Sequence, residues 1–176
     1  MRKDSTKKMI LTGMFAAVLA VLSQIQLPMP SGVPVTLQTF AAALGGFMLG
    51  MWGGVRMVLI YVLVGAVGVP VFSGFEGGIG VLIGPKGGFI WGFVILAALC
   101  GYGDSKKKSA RIIAAAGAGL LLCHLLGIFQ FMAVMKIGFI KAALLTSLPF
   151  LPKDALSVIG AYLAAKRVKR RLGGIF

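Results

Sequence analysis

Long apolar segments alternate with short polar segments along nearly the whole chain, and this pattern predicts membrane-spanning helices. A helix of about 20 apolar residues crosses the hydrocarbon core of a bilayer. Six segments approach that length, and we predict spans at residues 9–27, 36–51, 55–69, 85–102, 112–131 and 149–165. Residues 135–147 are amphipathic at best, because Lys136 and Lys141 interrupt them, and are predicted to form a surface helix or an irregular connection.

The composition supports an all-α integral membrane protein. The chain has 176 residues, of which 59% are hydrophobic and 12% charged, and its mean hydropathy is +0.98. Six spans leave no room for a soluble domain, so residues 1–176 are predicted to form a single transmembrane domain. The net charge of +14 would suggest nucleic acid on a soluble surface. Here the cations form short clusters beside apolar segments, which is typical of topology signals, and we expect no nucleic-acid partner.

The distribution of basic residues predicts the orientation of the six spans. Of the 18 lysines and arginines, 14 fall on the side of the two termini, because only four lie on the other side: Lys86, Lys136, Lys141 and Lys153. Cytoplasmic loops carry the excess of positive charge. Both termini are therefore predicted to be cytoplasmic, and three connections, including a glycine-rich loop between the third and fourth spans, are predicted to be outside.

The glycine-rich loop, residues 72–88, is the most unusual outer connection. Irregular backbone cannot face lipid, because its amide groups would lack hydrogen-bond partners, so the loop must lie at an interface or line a cavity. It carries Glu76 and Lys86, and its glycines allow close approach of backbone to a ligand. We predict that it forms part of a small-molecule pocket, although Glu76 could also be a solvated loop acid. The segment GIGVLIG (78–84) lacks the strand and acidic residue of a dinucleotide site.

Several other residues have both a functional and a structural interpretation. Asp154 could contact a polar ligand together with Lys153, or could simply complement the start of a helix. Gln38 either caps the second span or reaches into the pocket. Ala16 and Ala20, four residues apart, allow another helix to approach, either from a partner or within the bundle. His124 is expected to be a packed residue, and the two cysteines suggest neither a disulfide nor a metal site.

Three sequence blocks together resemble the BioY family, the biotin-binding S component of energy-coupling factor (ECF) transporters. They are VPVTLQTFAAALGG (33–46), GVPVFSGFEGGIGVLIGPKGGF (68–89) and LPFLPKD (148–154). The resemblance implies a multi-pass protein of a bacterial-type plasma membrane, surrounded by lipid, that captures biotin at its outer face. It also implies partners, namely a transmembrane coupling subunit and two cytoplasmic ATPases. In this family an alanine pair on the first helix docks the coupling subunit, as Ala16 and Ala20 would here.

Biotin chemistry indicates roles for the remaining candidates. The ureido N–H groups need an acceptor, for which we expect Asp154. The carboxylate needs donors, which the amides of Gly87 and Gly88 or a lysine could supply. The family often has a lysine where this chain has Ser157, so Lys153 or Lys86 is expected to take that role. The candidate ligand-binding residues are therefore Gln38, Phe72, Glu76, Gly78, Lys86, Gly87, Trp91, Lys153, Asp154 and Ser157.

Alternative functions have less support in the sequence. An S component for another vitamin is possible in principle, but the local motifs argue against it. A membrane-embedded enzyme would need a nucleophile with a base, or clustered acids, and the chain has only four acidic residues. We therefore expect no catalytic residue, metal or cofactor, with biotin as a transported ligand.

Overall fold

The chain folds into a bundle of helices with one small two-stranded sheet. The computed structural model describes residues 2–29, 32–105 and 108–171, with side chains from residue 6 onward. Within these residues the helices are α1 (Arg2–Ser23), α2 (Gln38–Ala66), α3 (Ile79–Ile83), α4 (Gly87–Ser105), α5 (Ser109–Met135), α6 (Phe139–Thr146) and α7 (Leu151–Arg171). The strands β1 (Gln26–Leu27) and β2 (Val35–Thr36) pair antiparallel between α1 and α2.

Four of the described helices are long and apolar enough to cross a membrane: α1, α2, α4 and α5. The pair α6 and α7, which meet at an angle of 53°, could make a fifth span. Many large apolar side chains, such as Ile113 and Leu163, are exposed on the outside of the bundle, where lipid would cover them. The protein is a multi-pass membrane protein.

Helix α2 is interrupted at Gly50, where the chain folds back on itself. Gly50 has φ +75° and ψ 178°, a conformation that side chains disfavour. Eight residues of a straight helix span about 12 Å. In contrast, a Cβ placed on Gly54 would lie 2.9 Å from the Cα of Gly46, so the halves on either side of Gly50 are in contact. The gap between the predicted second and third spans, at residues 52–54, therefore lies two to four residues too far along the chain.

Helix α4 occupies the centre of the bundle and packs against both α2 and α5. Small residues permit this close packing. A Cβ on Gly46 would lie 2.3 Å from the carbonyl oxygen of Ala97 in α4, and a Cβ on Gly92 would lie 2.7 Å from the Cα of Cys123 in α5. Without hydrophobic attraction between helices in lipid, such backbone proximity is a main source of packing energy.

Polar side chains hold the glycine-rich loop to the end of α1. Ser23 donates a hydrogen bond to the carbonyl oxygen of Val71 (2.5 Å), and the Gln24 amide donates to the carbonyl oxygens of Val71 and Phe72 (both 3.1 Å). Gln24 also accepts a hydrogen bond from the backbone N–H of Phe75 (2.9 Å). These contacts explain why α1 ends at Ser23, four residues before the predicted end of the first span.

Two short helices lie outside the six predicted spans. Helix α3 forms inside the glycine-rich loop, and the amide of Gln130 donates hydrogen bonds to the carbonyl oxygens of Leu82 (2.8 Å) and Gly84 (2.7 Å) at its end. Helix α6 lies within residues 135–147, which were predicted to be a surface helix or a connection. Both helices lie at the end of the bundle that carries fewer basic residues.

Candidate functional site

A cleft opens at the end of the bundle opposite the basic clusters. Its walls come from β2 and the residues before it, the start of α2, the glycine-rich loop, α4 and the start of α7. The enclosed cavity has a volume of about 40 Å³, and the space including the mouth is about 480 Å³. The cleft is therefore narrow in this structure, and a ring-bearing ligand requires its walls to move.

The walls of the cleft combine aromatic and polar side chains. Phe89 and Phe93 of α4 face Phe150, which precedes α7. The other lining residues are Val33, Pro34, Val35, Thr36, Gln38, Thr39, Ser73, Lys86, Ile90, Lys153 and Asp154. Mainly apolar walls with a few convergent polar groups are typical of small-molecule sites.

Lys153 and Asp154 form the polar centre of the cleft. The Lys153 ammonium donates a hydrogen bond to the backbone carbonyl oxygen of Thr36 (2.7 Å) and pairs with Oδ1 of Asp154. Asp154 is 6% exposed, and its Oδ1 has no hydrogen bond of good geometry within the described residues. A buried carboxylate oxygen in this state retains the capacity to accept an N–H from a ligand.

Behind Asp154, a chain of buried polar groups continues into the bundle. Nε2 of His124 lies 3.4 Å from Oδ2 of Asp154, and Nδ1 of His124 lies 2.8 Å from Oγ of Ser147. All three residues are buried, and the ring of Phe89 packs edge-on against the imidazole. If Ser147 donates to Nδ1, the other ring nitrogen carries a proton that points at Asp154. His124 and Ser147 thereby fix the position of the carboxylate.

Gln38 is held at the floor of the cleft by its own hydrogen bonds. Its amide nitrogen donates to the hydroxyl of Tyr61 (2.8 Å), and its amide oxygen accepts from the hydroxyl of Thr36 (3.0 Å). Tyr61 in turn packs edge-on against Phe72, with the ring centroids 5.3 Å apart. The fully buried Phe72 therefore supports the floor from behind and does not line the cleft.

A second ion pair lies at the mouth of the cleft. The Lys86 ammonium is 2.6 Å from Oε1 of Glu76, and their side chains are 23% and 43% exposed. Lys86 lines the cleft, whereas Glu76 approaches it from the glycine-rich loop. The structure thus brings together Gln38, Lys86, Lys153 and Asp154 in the cleft lining, with Glu76 bound to one of them.

The remaining candidate residues lie outside the cleft lining. Trp91 is 43% exposed on the outer surface of α4, and Ser157 lies one helical turn beyond Asp154. Gly78 precedes α3 with φ +95°, so its role is to permit a turn. Gly87 allows α4 to pack, because a Cβ there would lie 1.9 Å from the carbonyl oxygen of Leu82. These glycines shape the loop without contributing to the walls.

The small-residue pair on α1, Ala16 and Ala20, lies against the other helices of the bundle. Ala16 is 6% exposed and belongs to the core of the bundle, and Ala20 is partly buried against the same core. Ala16 therefore packs within the bundle, which is one of the two interpretations that the sequence left open. The exposed small residues of α1 are instead Gly13 and Ala17, and a Cβ on Gly13 would meet no atom within 4 Å.

Sequence reasoning missed several residues that hold the site. Ser73 lines the cleft, and Ser147 positions His124. His124 was expected to be a packed residue, which its burial bears out, but its contact with Asp154 was not foreseen. A polar residue inside an apolar span is a usable signal, because an unpaired polar group is costly there. Only the fold reveals which partner it meets.

This fold and site define a membrane-embedded protein that can bind a small polar-ended molecule at one face of the bundle. Comparison with known proteins names its family. The sequence model of the BioY family matches residues 1–174, so the chain belongs to the BioY family.

Individual relatives cover nearly the whole chain. It is 37% identical over 172 residues to the biotin transporter BioY of Thermotoga maritima, covering 93% of this chain and 96% of the relative. It is 31% identical to the biotin transporter BioY of Rhodobacter capsulatus, covering 92% and 93%. Its fold is similar to that of the S-component for biotin from an ECF-type ABC transporter, with a TM-score of 0.87 at 20% identity, covering 97% of this chain and 94% of that one.

Proposed function

We propose that this protein is the biotin-binding S subunit of an ECF-type vitamin transporter. The observation that carries the proposal is the buried Asp154 at the centre of an aromatic cleft, with one carboxylate oxygen able to accept a ligand N–H. Membership of the BioY family and the names of the curated relatives support biotin as the ligand. ATP hydrolysis and coupling belong to partner subunits, namely a transmembrane coupling protein and two cytoplasmic ATPases.

The proposed topology has six spans with both termini in the cytoplasm. Five of the spans would be α1, the second half of α2, α4, α5 and α7. The first half of α2, residues 38–49, would enter the membrane from outside, and its length of about 18 Å is shorter than the hydrocarbon core. The contact between Gly46 and Gly54 supports a hairpin of two membrane segments. The basic residues at the opposite end of the bundle support a cytoplasmic placement of that end.

In this proposal, biotin binds with its ring system against the aromatic walls and its ureido group at Asp154. A ureido N–H donated to a buried carboxylate is a charge-assisted hydrogen bond, which contributes about 1.5–3 kcal/mol. Replacing Asp154 by Asn removes the charge while keeping the shape of the side chain. We expect Asp154→Asn to raise the Kd for biotin about 10- to 100-fold.

The matched control for that substitution is Asp104→Asn, which removes an equivalent charge from the opposite end of the bundle. Asp104 pairs with Lys169 and lies far from the cleft lining. Its substitution should leave the Kd for biotin unchanged. An unchanged Kd in Asp154→Asn would remove Asp154 from the site.

The experiment that tests the proposed function is equilibrium binding of biotin to the purified, detergent-solubilised chain without partners. Desthiobiotin, thiamine and riboflavin serve as competitors. Saturable binding that desthiobiotin alone displaces supports a biotin S subunit, because desthiobiotin retains the ureido ring. Displacement by thiamine or riboflavin would instead indicate an S component for another vitamin. Absence of biotin binding by a folded protein would contradict the proposal that this chain is a biotin S subunit.

We also propose that the coupling subunit docks on the exposed face of α1 around Gly13 and Ala17. Both residues are exposed and small, and a facing helix could therefore approach the α1 backbone closely. Ala17→Leu should weaken co-purification of the coupling subunit while leaving biotin binding intact. Retention of the complex would place the docking face elsewhere.

A further inference from the structure

A second and larger opening lies between α5 and α7, and it shares no lining residue with the cleft that we propose binds biotin. We call it the α5–α7 groove; its volume is about 500 Å³. Phe47, Ile112, Ala116 and Val158 form its buried floor, and Tyr162 lies at one end. Helices α5 and α7 make few contacts with each other, which leaves the groove between them.

The groove opens outward, toward the space that lipid fills. Ile113 and Ile159 line it and are 73% and 55% exposed, so they form its rim. On α5 the lining runs from Ser109 to Leu120, a distance of about 17 Å along the helix. That length is close to half of a hydrocarbon core of about 30 Å, or one leaflet. An apolar groove of this length matches an acyl chain.

The end of the groove at Ser109 is positively charged. Arg111 lies between lining residues on α5, and the ammonium of Lys166 lies 5.9 Å from the ring centroid of Tyr162. The three acidic side chains that the structure describes, Glu76, Asp104 and Asp154, all pair with other lysines. Arg111 and Lys166 therefore have no carboxylate partner among the described side chains, and their charge is available to an anion.

We infer that the α5–α7 groove binds an anionic glycerophospholipid. One acyl chain occupies the apolar groove, and the phosphate-bearing headgroup lies beside Arg111 and Lys166. Each positive residue near a headgroup favours an anionic lipid by about five-fold in affinity. Apolar burial supplies the remaining binding energy, and it is independent of the headgroup.

Gly117 provides a direct test, because it lines the groove and a Cβ there would meet no atom within 4 Å. Gly117→Leu should fill the groove without a clash in the protein. The matched control is Ala118→Leu on the next residue, which is exposed outside the groove lining. Thermal unfolding of each variant in detergent checks that the fold is retained.

The measurement is native mass spectrometry of the purified chain titrated with phosphatidylglycerol or phosphatidylcholine of identical acyl chains. Wild-type protein and Ala118→Leu should retain phosphatidylglycerol, and Gly117→Leu should lose at least about five-fold in its occupancy, because the acyl chain loses buried apolar contact. The double variant Arg111→Gln, Lys166→Gln should bring the two lipids to equal occupancy. Equal retention by Gly117→Leu and Ala118→Leu would overturn the site, and equal binding of both lipids by wild type would overturn its anionic specificity.

Discussion

Two lysines, Lys86 and Lys153, line the cleft that we propose binds biotin. We predict that Lys86 binds the ligand carboxylate. Each lysine already has an acidic partner, so a ligand anion must compete with it. The Lys86–Glu76 pair is partly exposed, at 23% and 43%, and such a pair contributes about 0–1 kcal/mol. Lys153 instead holds a buried carboxylate and the carbonyl oxygen of Thr36. Breaking the Lys86–Glu76 pair therefore costs less free energy than breaking the contacts of Lys153.

The gain in biotin affinity from Lys86 is the difference between its interaction with the ligand and its interaction with Glu76. A charge-assisted hydrogen bond to the ligand contributes about 1.5–3 kcal/mol, from which at most about 1 kcal/mol is subtracted for the lost pair with Glu76. The net gain is about 0.5–3 kcal/mol, or about 2- to 150-fold in Kd. Biotinamide lacks the carboxylate and so does not receive this gain.

A thermodynamic cycle, in which each of two ligands is measured with each of two proteins, isolates the interaction between Lys86 and the ligand carboxylate. Isothermal titration calorimetry would give the Kd of biotin and of biotinamide for wild type and for Lys86→Gln. The preference for biotin should fall by about 2- to 150-fold in Lys86→Gln. Glu76→Gln is the control of opposite sign, because it removes the competing acid and should strengthen biotin binding slightly. An unchanged preference in Lys86→Gln, or its loss in Lys153→Gln, would refute the reasoning.

Three further predictions follow from the same contacts. His124→Phe should weaken biotin binding about ten-fold, whereas His124→Gln, which retains a donor toward Asp154, should recover part of the loss; equal losses would contradict a positioning role. Alanine at both Lys86 and Lys153 should weaken binding more than either single change, and full affinity in the double variant would exclude both lysines. Gly50→Ala should lower the free energy of unfolding by about 1–3 kcal/mol, because alanine disfavours the positive φ of this residue, whereas Gly13→Ala on the exposed face of α1 should not lower it.

The apolar pattern predicted the helical class and a cluster of polar residues at one end of the bundle, but it could not distinguish the roles of similar glycines. Gly50 provides a backbone conformation, whereas Gly54 provides close packing against Gly46. Both appear in the sequence as glycines in an apolar run, and the fold alone separates them. The predicted break at residues 52–54 was displaced for this reason.

The same limit applies to the faces of the helices. Helices in lipid are apolar on their inner and outer faces alike, so hydrophobicity does not reveal which side packs inward. Ala16 was therefore assigned to a docking face although it is buried, and Trp91 was assigned to the pocket although it is exposed. Asp154 was a candidate for a different reason, because a carboxylate at membrane depth is costly unless it is paired.

Lys153 and Lys86 supply the cations of the cleft, although this chain has Ser157 where the family often has a lysine. Ser157 lies outside the cleft lining, one turn deeper than Asp154, whereas Lys153 begins the same turn and reaches both Asp154 and Thr36. Lys86 adds a second cation from the glycine-rich loop, just before α4 and nearer to the mouth. The acceptor is thus buried and the accessible cation is peripheral. A ligand with N–H donors at one end and a carboxylate at the other is therefore favoured with its ring inward and its carboxylate toward the outside.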